Sequence, residues 1–267
     1  MTKPRTEQRH PGSTTLGELD AAGVVGLFER EEAVVSAAVA RAGGQLAAVA
    51  EAMAEVCRRG GKVAFVGGGT SGHLVLQEVA ELGPTFGAEP GRFRAHVASS
   101  LLRDPAVVTR REDDEESGPA ALADLGGEDL VIGVSASGST PFVMAAVRAA
   151  RARTCGIANN PGSPLLTAVD LPVLLDTGPE LLTGSTRLKA GTAQKIALNR
   201  ITTAAHVLLG AVRQNHMVNL RAVNAKLRQR AVDIVVDLTG TSEARARAAL
   251  DAGDWYVRAA LDHLGAP

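Results

Sequence analysis

Three short clusters of Gly, Ser and Thr are the residues in this chain most suited to chemistry: Gly67-Gly68-Gly69-Thr70-Ser71-Gly72, Ser135-Ala136-Ser137-Gly138-Ser139-Thr140 and Thr183-Gly184-Ser185-Thr186. Backbone N–H groups at a helix start, with hydroxyls beside them, form an uncharged cradle for a phosphate. The bland alternative is a βα turn that takes Gly for its geometry. One cluster would favour that alternative; three hydroxyl-rich ones favour phosphate. The candidate phosphate contacts are Gly69, Thr70, Ser71, Gly72, Ser135, Ser137, Gly138, Ser139 and Thr140. Thr183, Ser185 and Thr186 add phosphate or sugar contacts. Lys189 and Lys195 either neutralise the anion or are surface cations of a helix, and Arg187 is equally open. The first cluster also spells G-x-G-x-x-G, but a dinucleotide site needs an acidic residue at the end of the next strand. That strand ends at Ala98-Ser99-Ser100, and the first acid beyond it is Asp104. The fingerprint is incomplete, and no P-loop motif occurs.

The titratable residues give little by themselves. Glu112-Asp113-Asp114-Glu115-Glu116 reads as a solvated run of acids, and Glu81 as a solvated helix residue. His206 lies among apolar neighbours and reads as a hydrogen-bonded or partly buried histidine. Cys57 and Cys155 read as small core residues. No zinc spacing is present, so neither a metal nor a cofactor is expected.

Elements must position the clusters. Residues 1–28 are polar and read as an arm, with a helical pattern from Glu29 to Arg59 interrupted at Gly43-Gly44. Apolar runs at 62–66, 130–134, 154–158 and 171–175 read as short buried strands, with another at 94–99. Helices follow, from His73 to Leu82 and from Pro141 to Arg153, with Pro141 at a first helical turn. This alternation predicts an α/β fold, a three-layer αβα sandwich on a parallel, doubly wound sheet. The long helical stretch from Ala190 to Val236 breaks near 213–218. Residues 239–267 form a small C-terminal helical tail, anchored by Trp255 and Tyr256, and the body spans 29–238.

The chain has 267 residues with a net charge of −1 and 3% aromatics, so neither a basic surface nor stacking platforms point to nucleic acid. Two cysteines cannot make a secreted disulfide framework. No segment reads as a signal peptide or a membrane span. A cytoplasmic protein without a membrane partner is expected.

The clusters, with Glu81-Leu82-Gly83-Pro84-Thr85-Phe86-Gly87, Gly178 to Lys195, and Val223-Asn224-Ala225-Lys226-Leu227 with Arg230, resemble the N-acetylmuramic acid 6-phosphate etherases. These have the sugar isomerase (SIS) fold. The resemblance runs from Thr6-Glu7 to about Trp255. It implies cleavage of the C3 lactyl ether of N-acetylmuramic acid 6-phosphate, giving N-acetylglucosamine 6-phosphate and D-lactate. A base removes the C2 proton of the open-chain aldehyde, an acid protonates the departing lactyl oxygen, and water adds back. The resemblance aligns Glu81 with the family's acid and Glu112 with its base, and Glu7 with an arm reaching a site at the interface of a homodimer. Three positions depart from the family pattern: His73 and Ser139 stand in place of Arg, and His10 in place of Asn. Arg gives bidentate recognition that Ser cannot reproduce. The departures leave room for two alternatives: a divergent lyase or aldose–ketose isomerase on another phosphosugar, or a non-catalytic sugar-phosphate-binding regulator.

Overall fold

A computed structural model describes residues 3–98 and 112–266. It divides into two compact units: residues 3–79 with 91–204, and residues 80–90 with 205–266. Ser99, Ser100 and Asp104 lie outside the described residues.

In the first unit the chain opens with three short 3-10 turns, Arg5–Glu7, Pro11–Ser13 and Leu16–Glu18. Helix α1 (Ala21–Arg41) starts eight residues before the sequence pattern suggests, because Asp20 caps it by accepting from Gly23 N at 2.8 Å. It meets α2 (Gly43–Arg58) at a 55° bend, at the expected glycine pair. The arm is docked rather than free. Thr6 is wholly buried and exchanges two bonds with the Asn160 side chain, and Ser13 Oγ donates to Leu181 O.

The sheet comprises β1 (Val63–Gly67), β2 (Phe93–Val97), β3 (Leu130–Val134), β4 (Arg153–Ala158) and β5 (Leu171–Leu174), all parallel, in the order β2-β1-β3-β4-β5. β1 and β3 are buried along their whole lengths, as continuous apolar runs between helical layers must be. Helices α3 (Gly69–Phe86), α4 (Ser117–Ala121), α5 (Pro141–Ala149), α6 (Pro164–Thr167) and α7 (Lys189–Leu208) follow in chain order. Pro141 stands at the start of α5 as expected. Phe142, Val143 and Val147 of α5 pack with Ala64, Val66 and Val131 in one apolar core. The strand order reverses at β1 and β3, where an open parallel sheet leaves a crevice at its carboxyl ends.

The second unit takes in the end of α3, the end of α7, and a two-strand hairpin, β6 (Val212–Arg213) with β7 (His216–Met217). It also holds α8 (Ala225–Thr239), α9 (Glu243–Ala252) and α10 (Val257–His263). α8 shares its apolar core with α9 and α10, through Val232, Val235, Leu250 and Leu261, so this unit is larger than a 239–267 tail. Trp255 packs against that core, with the Arg228 guanidinium over its ring. Tyr256 bonds to Asn219 in the same unit. His206 is buried and stacks on Phe86 at 4.2 Å. Among the described residues no single helix is long and apolar enough to cross a membrane.

Candidate active site

Register brings the first two clusters side by side. Gly67 pairs with Val134, so Gly68 and Ser135 leave adjacent strands at the same level of the sheet. The turn from β1 into α3 is tight: a Cβ on Gly67 would lie 2.8 Å from Gly72 N, and one on Gly72 would lie 2.9 Å from Gly67 O. Only hydrogen fits between strand end and helix start.

Glu112 closes over this turn. A Cβ at Gly68 would meet Glu112 Cγ and Thr140 Cγ2, each at 3.2 Å, and one at Gly69 would meet Glu112 Oε1 at 2.5 Å. The carboxylate therefore lies against bare backbone between the two loops, and Glu112 O accepts from Phe142 N at 3.0 Å. Burial, with the like charge of Asp113 second, holds its carboxyl above the usual carboxylate range. A half-buried carboxyl so perturbed, beside two hydroxyl-rich loops, has the properties of a proton-transfer group.

The second loop is knitted by its own hydroxyls. Ser135 Oγ accepts from Gly138 N and lies 2.8 Å from Thr140 Oγ1 and 3.2 Å from Ser137 Oγ. Ser137 Oγ accepts from both the N–H and the Oγ of Ser139. Gly138, at φ +69°, has Ser163 Oγ 2.2 Å from where a Cβ would stand.

The third cluster joins the first at the start of α7. Thr70 Cγ2 lies 3.2 Å from a Cβ position on Gly191, whose N–H donates to Thr186 O. The Glu7 carboxylate reaches the cluster at Gly184 (φ +76°), where it would stand 2.9 Å from a Cβ. Thr183 is exposed, and Ser185 and Thr186 are half-buried.

Both predicted cations are engaged by carboxylates. Lys189 Nζ is buried and bonds Glu31 Oε2 at 2.6 Å, with His10 Nε2 3.2 Å from the same oxygen. Lys195 Nζ bonds Glu78 Oε2 at 2.6 Å, while Thr202 donates to the other oxygen of Glu78. His73 stands exposed at the start of the second turn of α3, and Ser139 is exposed in the second loop. Glu81 is exposed on α3, within the second unit. Cys155 is fully buried on β4, where burial pushes its thiol up.

Sequence reasoning missed the acids and amides that hold this scaffold. Glu180, wholly buried, accepts from the N–H groups of Lys189 and Ala190 and so caps α7. Gln194 and Asn159, also wholly buried, carry a bond chain from Ser71 to Leu175 O. Glu180 and Gln194 sit in the block that carries the resemblance, but no local pattern gives either a role.

A family model described as a SIS domain matches residues 28–158, and one described as the C-terminal lid domain of glucokinase regulatory protein matches 214–253. The N-acetylmuramic acid 6-phosphate etherase of Deinococcus radiodurans is 45% identical over 98% of this chain and 88% of its own. That of Rubrobacter xylanophilus is 46% identical over 92% of this chain and 83% of its own. A solved phosphoheptose isomerase from Francisella tularensis superposes with a TM-score of 0.52 at 17% identity, over 72% of this chain and 99% of that one, a likeness of fold. Identity of 45–46% sustained over more than nine-tenths of this chain and more than four-fifths of each relative settles the placement: the chain belongs to the N-acetylmuramic acid 6-phosphate etherase family.

Proposed function

We propose that this protein is a carbon–oxygen lyase that cleaves the lactyl ether of N-acetylmuramic acid 6-phosphate to N-acetylglucosamine 6-phosphate and D-lactate. The observation that carries the reading is the Glu112 carboxylate lying across Gly68 and Gly69 between two hydroxyl-rich loops. The phosphate is held by N–H and hydroxyl groups of the loops after β1 and β3, notably those of Thr70, Ser137, Ser139 and Thr140, with Thr183, Ser185 and Thr186 toward the sugar. Glu112 takes the C2 proton, which the open-chain C1 aldehyde makes acidic. Electrons flow to form the C2–C3 double bond as the C3–O bond breaks, and Glu81 supplies a proton to the lactyl oxygen. Water then adds at C3, returning a proton to C2, so one water is consumed per lactate released. Glu7 contributes from the arm. The raised carboxyl of Glu112 makes it a stronger base than an ordinary carboxylate, which supports the assignment as base.

We further infer a homodimer working in the cytoplasm as part of peptidoglycan recycling, without nucleic-acid or membrane partners, in keeping with the near-zero net charge. Incubation with the phosphosugar in D2O tests the reaction. Lactate release with deuterium at C2, both lost in Glu112→Gln, is the expected result. Label without lactate would point to a divergent lyase or isomerase acting on another phosphosugar. Neither signal, with phosphosugar still bound, would make the protein a binder only.

A further inference from the structure

The buried amides beneath the first loop form a chain whose direction is fixed from one end. Leu175 O is a main-chain carbonyl and can only accept, so Asn159 must present Nδ2 to it, at 2.8 Å. Asn159 Oδ1 then faces Gln194, whose Nε2 must donate, at 3.0 Å. Gln194 Oε1 is left facing Ser71 at 2.8 Å, and it carries no hydrogen. The Ser71 hydroxyl therefore donates inward. Turning either amide over would set oxygen against oxygen in a region where Asn159 and Gln194 are wholly buried and Ser71 is 5% exposed, so no solvent relieves the clash.

We propose that Gln194 is a positioning residue for the first glycine loop. By accepting the Ser71 hydroxyl hydrogen it leaves Ser71 only acceptor lone pairs toward a ligand, so the substrate phosphate draws its hydroxyl bonds from Thr70 and the second loop and none from Ser71. An acceptor at that place suits a hydroxyl or amide hydrogen of the sugar and is mismatched to an anion. The inference rests on the phosphosugar reading above.

Inorganic phosphate, titrated calorimetrically into the full-length protein, is the probe. Ser71→Ala is expected to leave its Kd within about twofold, whereas Thr140→Val raises it about tenfold through loss of a hydroxyl bond to an anion. Gln194→Met keeps the volume but removes the acceptor, freeing Ser71 to turn outward. Phosphate binding should then tighten several-fold, and adding Ser71→Ala to that variant should abolish the gain. Disturbed packing would only weaken binding. The proposal is overturned if Ser71→Ala loses phosphate as severely as Thr140→Val, or if Gln194→Met gains nothing. Should Gln194→Met fail to fold, the Ser71 and Thr140 pair decides alone. Absence of lactate release by a parent protein that binds phosphate would sink the etherase reading and leave this comparison intact. A parent that binds no phosphate overturns both.

Discussion

Replacing Gly69 by Ala tests the placement of Glu112 without touching the carboxylate itself. Gly69 sits at φ +49°, a conformation that costs an L-residue about 1–2 kcal/mol. The new Cβ would also stand 2.5 Å from Glu112 Oε1, where even a close C···O approach needs about 3.3 Å. The carboxylate must therefore retreat by roughly 1 Å, and a displacement of that size costs about 100-fold in rate when the group moves a proton. The expected phenotype is a Tm lowered by about 3–6 °C and kcat for lactate release down about 100-fold. Gly68→Ala is the matched comparison, since its Cβ meets Glu112 Cγ and Thr140 Cγ2 at 3.2 Å and asks for only a few tenths of an ångström. It should lose several-fold. Combined with Glu112→Gln, Gly69→Ala should lower kcat little further, because the displaced group has already been disabled. A Gly69→Ala protein with the lowered Tm but kcat within threefold of the parent would refute the argument that Glu112 acts from this position.

Two other expectations follow from charge. Asp113→Asn removes the second of the two influences that raise Glu112, burial being the first. The base must be ionised to act, so activity rises with pH through its pKa. Lowering that pKa moves the acid limb of kcat/KM to lower pH, and a limb that stays put or moves upward contradicts the assignment. Glu31→Gln strips the buried Lys189 ammonium of its partner. Glu31 itself is raised by burial but held below its ordinary pKa on balance by Lys189 and His10. Breaking one side of such a pair costs about 3 kcal/mol, or roughly 6–12 °C in Tm. The double replacement Glu31→Leu with Lys189→Met should recover most of it, and a single variant melting within about 2 °C of the parent would show the pair to be unimportant.

The scaffold was legible because its signals are local. A buried parallel strand writes itself as a continuous apolar run, and the turn that follows needs Gly where strand and helix backbones touch, as Gly67 and Gly72 do. Pro141 marked the start of α5 for an equally local reason. Gly83-Pro84 reads as a stop in the sequence, yet α3 runs through it to Phe86, forgoing only the one main-chain bond that Pro84 cannot donate while Gly87 N still bonds Gly83 O at 2.9 Å. The sequence marks an arm but not what holds it, because its anchors, Asn160 for Thr6 and Leu181 for Ser13, lie 154 and 168 residues away. No periodicity can report such a partner.

The lysines show the same limit in the site, with a chemical consequence. Their types and spacing suited a phosphate, but Lys189 is matched by Glu31, 158 residues away, and Lys195 by Glu78, 117 residues away. An ammonium compensated at 2.6 Å projects the weak field of a dipole rather than that of a charge. Among the described residues the loops therefore offer oriented N–H and O–H groups, which on the proposed reading would recognise a phosphate by direction. That choice also serves Glu112. An uncompensated ammonium beside the phosphate would pull the neighbouring carboxyl down and weaken it as a base. With burial and Asp113 as its two influences, the Glu112 carboxyl stays raised. A cradle of dipoles and a proton-hungry carboxylate are two aspects of one electrostatic arrangement. On this argument, adding a cation to the rim, as in Ser139→Arg, would tighten phosphate binding while lowering the basicity of Glu112.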